Sequence, residues 1–259
     1  MLFMLHGWGD VSASFQFVVD ALRRDWRVIA PDWRGFGLSQ WNEGPYWFPD
    51  YVADLDALLA CWTPDVPARL VGHSMGGNVA SLYAGIRPER VAGIVNLEGF
   101  GLRPTESAEA PARYVKWLGQ VRGEAGFRVY TGRAAFAARL RQDNPRLTPE
   151  RAAFLAEHLA EAVEEGVRVA ADPCHRWANP ILYRIEEAKA CWRRVTAPVL
   201  WVRGADSGYL REYIPEEADY FERLACFSNG RDVLLEDCGH NLHHDRPEDV
   251  ARLIEEFFA

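Results

Sequence analysis

Residues 70–85 read LVGHSMGGNVASLYAG. An apolar run enters Gly72, Ser74 stands between Gly72 and Gly76, and a helical pattern follows. Gly72-His73-Ser74-Met75-Gly76 has the form G-x-S-x-G. Between a strand and a helix, this form holds a serine on a tight turn with its hydroxyl above the sheet. The glycines let strand and helix approach closely. Any glycine-rich strand-to-helix turn can match the pattern. A nucleophile also needs a base, an acid to orient the base, and N–H groups for an oxyanion.

The surrounding pattern suits that setting. LFML (2–5), RVIA (27–30), ARLVG (68–72), VAGIVNL (91–97), PVLWVRG (198–204) and DVLLED (232–237) are short apolar runs and read as buried strands. FQFVVDALRR and DYVADLDALLACW, between the early runs, have helical spacing. Strand and helix in alternation predict an α/β fold, a mostly parallel sheet with helices on both faces. SNGRD (228–232) signals a turn before the last strand, and RPEDVARLIEEFFA reads as a closing amphipathic helix.

The alternation stops between about 103 and 194. APARYVKWLGQVRG, GRAAFAARLRQ, TPERAAFLAEHLAEAVEEG and NPILYRIEEAKACWRR all carry helical spacing, and Thr148-Pro149-Glu150 is an N-terminal signal. The expectation is a core of residues 1–102 and 195–259. Residues 103–194 would be a helical cap insertion over the carboxyl ends of the strands.

With 259 residues, 49% of them apolar, the chain can bury a sizeable core. A net charge of -8 argues against a nucleic-acid footprint, and anionic membranes hold no attraction for it. No apolar run spans a bilayer, and MLFMLHGWGD lacks the features of a signal peptide, so a cytoplasmic location is expected. The five cysteines are odd in number and lack C-x-x-C spacing, which suits reduced thiols. No dinucleotide or Walker motif occurs, so no cofactor is expected. Of ten tryptophans, Trp41, Trp47, Trp117, Trp177 and Trp192 are candidates for a pocket wall or for plain packing.

Four stretches together resemble the α/β-hydrolase family, in the family's order. They are LHGWGD (5–10), PDWRGFGLS (31–39), GHSMGG (72–77) and CGHNLHHDRPEDV (238–250). The resemblance covers nearly the whole chain. It implies Ser74 as nucleophile and His240, the histidine after Gly239, as base. It also implies the backbone N–H groups of Trp8 and Met75 as oxyanion hole. An imidazole titrates near neutrality and can carry the serine proton. His243 and His244 are rivals for the base. The spacing His240-x-x-His243 admits a metal, but no carboxylate or cysteine matches it, and no metal is expected. His6 and His73 are expected to shape loops, as is the Asp32–Arg34 pair with Gly35 and Gly37. His158 and His175 lie in the insertion, and His175 is a structural histidine or a substrate contact.

The acid has two candidates. The family commonly places an aspartate as G-x-x-D after the strand that follows the insertion. Here Gly204-Ala205-Asp206-Ser207 puts the aspartate one residue early, with Ser207 in its place. The other family location is the end of the strand before the insertion, where Glu98 stands, as in some haloalkane dehalogenases. A carboxylate at a buried strand end is costly without a partner. Glu98 is therefore the first choice and Asp206 the alternative. Family members usually carry two strands before the LHG strand. Either the sheet is trimmed to about six parallel strands, with lower stability, or the native protein is longer.

The expected activity is serine-dependent hydrolysis of small esters or related acyl compounds through an acyl-enzyme. A carbon–carbon bond hydrolase, thioesterase, lactonase or perhydrolase could use the same triad. Dehalogenases and epoxide hydrolases normally use an aspartate nucleophile, so Ser74 argues against both. A non-catalytic ligand-binding protein of this fold is the reading from another class, against which Ser74 and His240 weigh.

Overall fold

The computed structural model describes residues 1–123 and 125–259. Strand β1 (Leu2–Leu5) illustrates how the sheet is buried on both faces. Leu2 and Met4 enter one apolar layer, Phe3 and Leu5 the other, and all four are fully buried. That is the period of two expected of a strand covered on each side. The remaining strands are β2 (Val28–Ile29), β3 (Ala68–His73), β4 (Val91–Leu97), β5 (Ala160–Val163), β6 (Gly166–Val169), β7 (Val199–Gly204) and β8 (Gly230–Leu235). Six form one sheet in the order β2-β1-β3-β4-β7-β8, and every neighbouring pair is parallel. β2 is a two-residue edge, and Pro31, which has no N–H to donate, follows closely.

The helices are α1 (Gln16–Ala21), α2 (Phe48–Trp62), α3 (Met75–Ile86), α4 (Ala110–Val121), α5 (Arg133–Asp143) and α6 (Pro149–Leu159). They continue with α7 (Ile185–Trp192), α8 (Gly208–Tyr213), α9 (Glu217–Leu224), α10 (Leu242–Asp245) and α11 (Pro247–Phe257). One face of the sheet is covered from α1 and α11, through Val18, Val250 and Ile254. The other is covered from α2, α3, α7 and α9, through Leu55, Val79, Trp192 and Tyr220. No helix among the described residues is long and apolar enough to cross a membrane.

Two elements between β4 and β7 differ from the sequence expectation. The helical spacing of AAFLAEHLAEAV continues past residue 159, but α6 stops at Leu159 and an antiparallel hairpin, β5–β6, follows. Val163, Val167 and Val169 favour extended backbone, and Gly166 turns at φ 143, a conformation that favours glycine. α7 packs against α3, with the Arg194 Nε donating to the Gly85 carbonyl at 3.0 Å, and Trp192 lies in the main core. Phe136, Leu147, Leu155, Leu159 and Val167 of this segment form a smaller apolar cluster together with Val11. The segment is tied to the loop after β2 and to α10. The Gly37 N–H donates to the Ala170 carbonyl at 2.7 Å, and the Asn144 amide donates to Asp245 at 2.6 Å.

In a parallel sheet the strands end on one side, and the loops beyond those ends share a crevice. In register, β3 ends with His73 opposite Leu97, β4 with Leu97 opposite Val202, and β7 with Gly204 opposite Leu235. Ser74, Glu98, the 205–207 loop and the 238–241 loop therefore emerge side by side.

Candidate active site

Ser74 adopts φ 50 and ψ -113, a strained conformation for a residue with a side chain. The turn persists because its neighbours leave no alternative. A Cβ on Gly72 would meet the Gly77 nitrogen at 2.5 Å, and one on Gly99 would meet the Ser74 carbonyl oxygen at 2.6 Å. The Ser74 N–H is bonded to the Leu97 carbonyl at 2.8 Å. Met75 opens α3, so its N–H has no carbonyl one turn earlier and stays available to an anion. The 6–8 loop comes against the same turn. A Cβ on Gly7 would lie 3.3 Å from the Ser74 Cβ, and the Trp8 side of this loop is half exposed.

Glu98 follows β4 in a left-handed conformation, φ 60. The Asn96 side chain holds that turn. Its oxygen accepts the Gly99 N–H and its nitrogen donates to the Gly99 carbonyl, both at 2.7 Å. Glu98 is fully buried. Its Oε1 accepts the Gly204 N–H at 2.8 Å. Its Oε2 accepts the Ser207 hydroxyl at 2.5 Å and lies 3.0 Å from His240 Nδ1. Three donors on one carboxylate offset the cost of burying it. With Nδ1 as donor, His240 keeps its lone pair on Nε2, where it can take a proton. The His240 side chain is 26% exposed.

Asp206, the alternative acid, faces solvent and pairs with Arg146 from the segment between α5 and α6. The one-residue offset decides this. Ser207 turns inward to Glu98, so its neighbour turns outward.

The other histidines have separate partners. The His6 Nε2 accepts the Trp33 N–H at 2.9 Å, and its Nδ1 donates to the Gly7 carbonyl at 2.7 Å, which folds the 6–8 loop. His73 is buried, which holds it well below the usual histidine value, and its Nε2 donates to the His240 carbonyl at 2.9 Å. His243 lies 3.4 Å from Asp10 Oδ2. Burial would raise the Asp10 carboxyl, but His243 and the neighbouring imidazoles outweigh it and hold it low. His244 is buried and pushed down to about 3. His175 is stacked between Phe36 and Tyr46 at 3.9 and 3.7 Å, and burial lowers it to about 4. His158 is exposed on α6.

His240 and His243 face different carboxylates, Glu98 and Asp10 respectively. Asp10, His73 and His243 form a group whose donor atoms lie within 4.8 Å of one another. That span is wide for one ion; His73 Nε2 is turned to the His240 carbonyl, and His243 Nε2 faces Asp10 within the group. Within the group, His73 bonds the His240 loop through its Nε2. Asp32 accepts the Ser12 and Leu38 N–H groups at 2.7 and 2.8 Å and shapes its loop. Arg34 bonds Asp54 of α2, not Asp32 as the sequence suggested, because the guanidinium reaches across to the helix.

Four supporting residues carry no sequence signal of their role. Besides Asn96 and Ser207, Tyr209 on α8 stacks on the His240 ring at 4.6 Å and 19°. Arg223 on α9 is fully buried and donates to the Phe100 and Leu102 carbonyls at 3.0 and 3.1 Å, fixing the chain beyond Glu98. Its spacing from Asp219, i to i+4, reads as an ordinary surface ion pair.

Known proteins resemble the chain over most of its length. It is 31% identical to a serine hydrolase-like protein of Danio rerio over 265 residues, covering 98% of this chain and 79% of that one. It is 30% identical to a 3-hydroxybutyrate-oligomer hydrolase of Cupriavidus necator, covering 100% of this chain and 88% of the other. Among solved structures, the thioesterase domain from the curacin biosynthetic pathway superposes with a TM-score of 0.85 at 26% identity, covering 98% and 90% of the two chains. The model of the alpha/beta hydrolase fold family matches residues 1–247. Motif order, sheet topology and a family match through nearly the whole chain agree, and the protein is an enzyme of the α/β-hydrolase family.

Proposed function

We propose that the protein hydrolyses small esters or related acyl compounds through a covalent acyl-enzyme. Ser74 attacks the carbonyl carbon while His240 Nε2 takes its proton. Glu98 holds the His240 Nδ1–H and stabilises the imidazolium that forms. The Met75 and Trp8 N–H groups receive the oxyanion. The tetrahedral intermediate collapses, His240 returns the proton to the leaving group, and the acyl group remains on Ser74. Water, deprotonated by His240, then releases the acid and restores the serine. The expected cap insertion, residues 103–194, would lie over this crevice, with α7 of that segment packed on the main core.

The observation that carries the reading is the 3.0 Å contact between His240 Nδ1 and the buried Glu98 Oε2, taken with the strained turn that holds Ser74 at φ 50. The relatives named for hydrolysis of 3-hydroxybutyrate oligomers and for thioesterase activity support acyl chemistry as the class. Labelling with a fluorophosphonate, together with p-nitrophenyl esters of increasing chain length, tests it. Wild type should label and turn over; Ser74→Ala should do neither. A folded wild-type protein that neither labels nor turns over any ester would remove the proposal in favour of a binding protein.

A further inference from the structure

Ser207 joins two contacts that meet at His240. It is 2% exposed and follows β7 at the N-cap of α8. Its hydroxyl hydrogen goes to Glu98 Oε2 at 2.5 Å, the same oxygen that faces His240 Nδ1. Its hydroxyl oxygen accepts the Leu210 N–H at 3.2 Å, which starts α8. Two residues on, Tyr209 lays its ring on the His240 ring. The Tyr209 hydroxyl donates to the Gly101 carbonyl at 3.0 Å, so the far end of the ring is also tied down.

We infer that Ser207 is a positioning residue for catalysis, setting both the carboxylate on one edge of His240 and the aromatic ring on its face. The inference rests on the triad reading above. A carboxylate has several lone pairs and can rotate about its last bond. The Gly204 N–H fixes Oε1 and the Ser207 hydroxyl fixes Oε2, so the oxygen facing the imidazole has one place to be. The hydroxyl also draws electron density from Oε2 and moderates its pull on the Nδ1 proton. Ser207 touches neither substrate nor the reacting atoms. Its effect therefore belongs in kcat and in the pH profile, not in substrate binding.

The test compares Ser207→Ala and Ser207→Thr with wild type, Ser74→Ala and Glu98→Gln, all as full-length protein. p-Nitrophenyl butyrate turnover is measured from pH 5 to 9, with fluorophosphonate labelling rates. A hydrogen bond to a charged group, once lost, lowers kcat roughly 10- to 100-fold. In Ser207→Ala, kcat should fall by that factor with KM within about twofold, and the acid limb should move to higher pH. A carboxylate that has lost a donor holds the imidazolium proton harder. Ser207→Thr keeps the hydroxyl and the cap and should stay within about fivefold of wild type.

A Ser207→Ala variant with wild-type kcat and acid limb overturns the proposal. So does equal loss in the alanine and threonine variants with no movement of the limb, which marks a purely structural role. If Ser74→Ala and Glu98→Gln abolish turnover in either case, the triad reading survives. If Ser74→Ala stays active, that reading fails and this inference fails with it.

Discussion

Replacing Glu98 by glutamine changes one oxygen to an amide nitrogen and removes a charge, with almost no change of volume. In the fold, Glu98 Oε1 accepts the Gly204 N–H and Oε2 accepts the Ser207 hydroxyl beside His240 Nδ1. Glutamine cannot meet these donors together. If its NH2 faces Gly204, two donors oppose each other in a buried site. If its NH2 faces His240, Nδ1 must accept, and the ring proton moves to Nε2, toward the serine. That is the wrong tautomer for a base, and such a change costs about 10⁴ in kcat in a serine triad. The barrier therefore rises by about 5 kcal/mol. Asp206→Asn is the matched control. Its side chain is 50% exposed and its charge partner among the described residues is Arg146. A surface ion pair contributes about 0–1 kcal/mol, so kcat/KM should stay within about threefold of wild type. Both variants are assayed on p-nitrophenyl butyrate, with circular dichroism melts to establish folding. Near-full activity in Glu98→Gln, with a collapse in Asp206→Asn, would refute the reasoning.

Three further outcomes follow from burial. His244 and His175 are neutral when folded, with burial holding them at about 3 and about 4, against 6.5 when unfolded. The unfolded chain then binds more protons below pH 6.5. Stability is complete above 6.5 and falls by about 1.4 kcal/mol per pH unit for each histidine down toward its folded value. Urea midpoints measured from pH 8 to 5 should drop below about 6.5, and a flat profile would contradict this. Gly99→Ala places a Cβ 2.6 Å from the Ser74 carbonyl oxygen and 2.7 Å from the Gly77 Cα. It should cost about 1–3 kcal/mol in stability and slow fluorophosphonate labelling, and unchanged melting and labelling would count against the packing argument. Asp219→Asn removes the counter-charge that faces the buried Arg223 guanidinium and leaves one amide oxygen where two carboxylate oxygens accept. Asp219 is 30% exposed, so the loss should be about 2–3 kcal/mol, less than for a sealed pair. A loss below 0.5 kcal/mol on urea unfolding, roughly the noise of a surface substitution, would show the pair to be dispensable.

The strands were legible because a buried parallel strand is a short apolar run bounded by turn residues. All six runs read that way lie in the central sheet. The turn at Ser74 was legible because it needs glycines at fixed offsets, whereas His240 was set apart from His243 and His244 only by the resemblance to the family. The β5–β6 hairpin was hidden because alanine, leucine and glutamate at 152–162 keep helical spacing to the end. The acid was undecided in the sequence for a different reason. Glu98 and Asp206 both follow strands, and spacing along the chain does not say which strand ends lie together. Only the pairing of β4 with β7, the left-handed turn at Glu98 and the inward side of Ser207 bring one carboxylate to His240 and send the other to Arg146. A local pattern can specify a turn, but a side chain's partner across 142 residues is set by how the strands are ordered in the sheet.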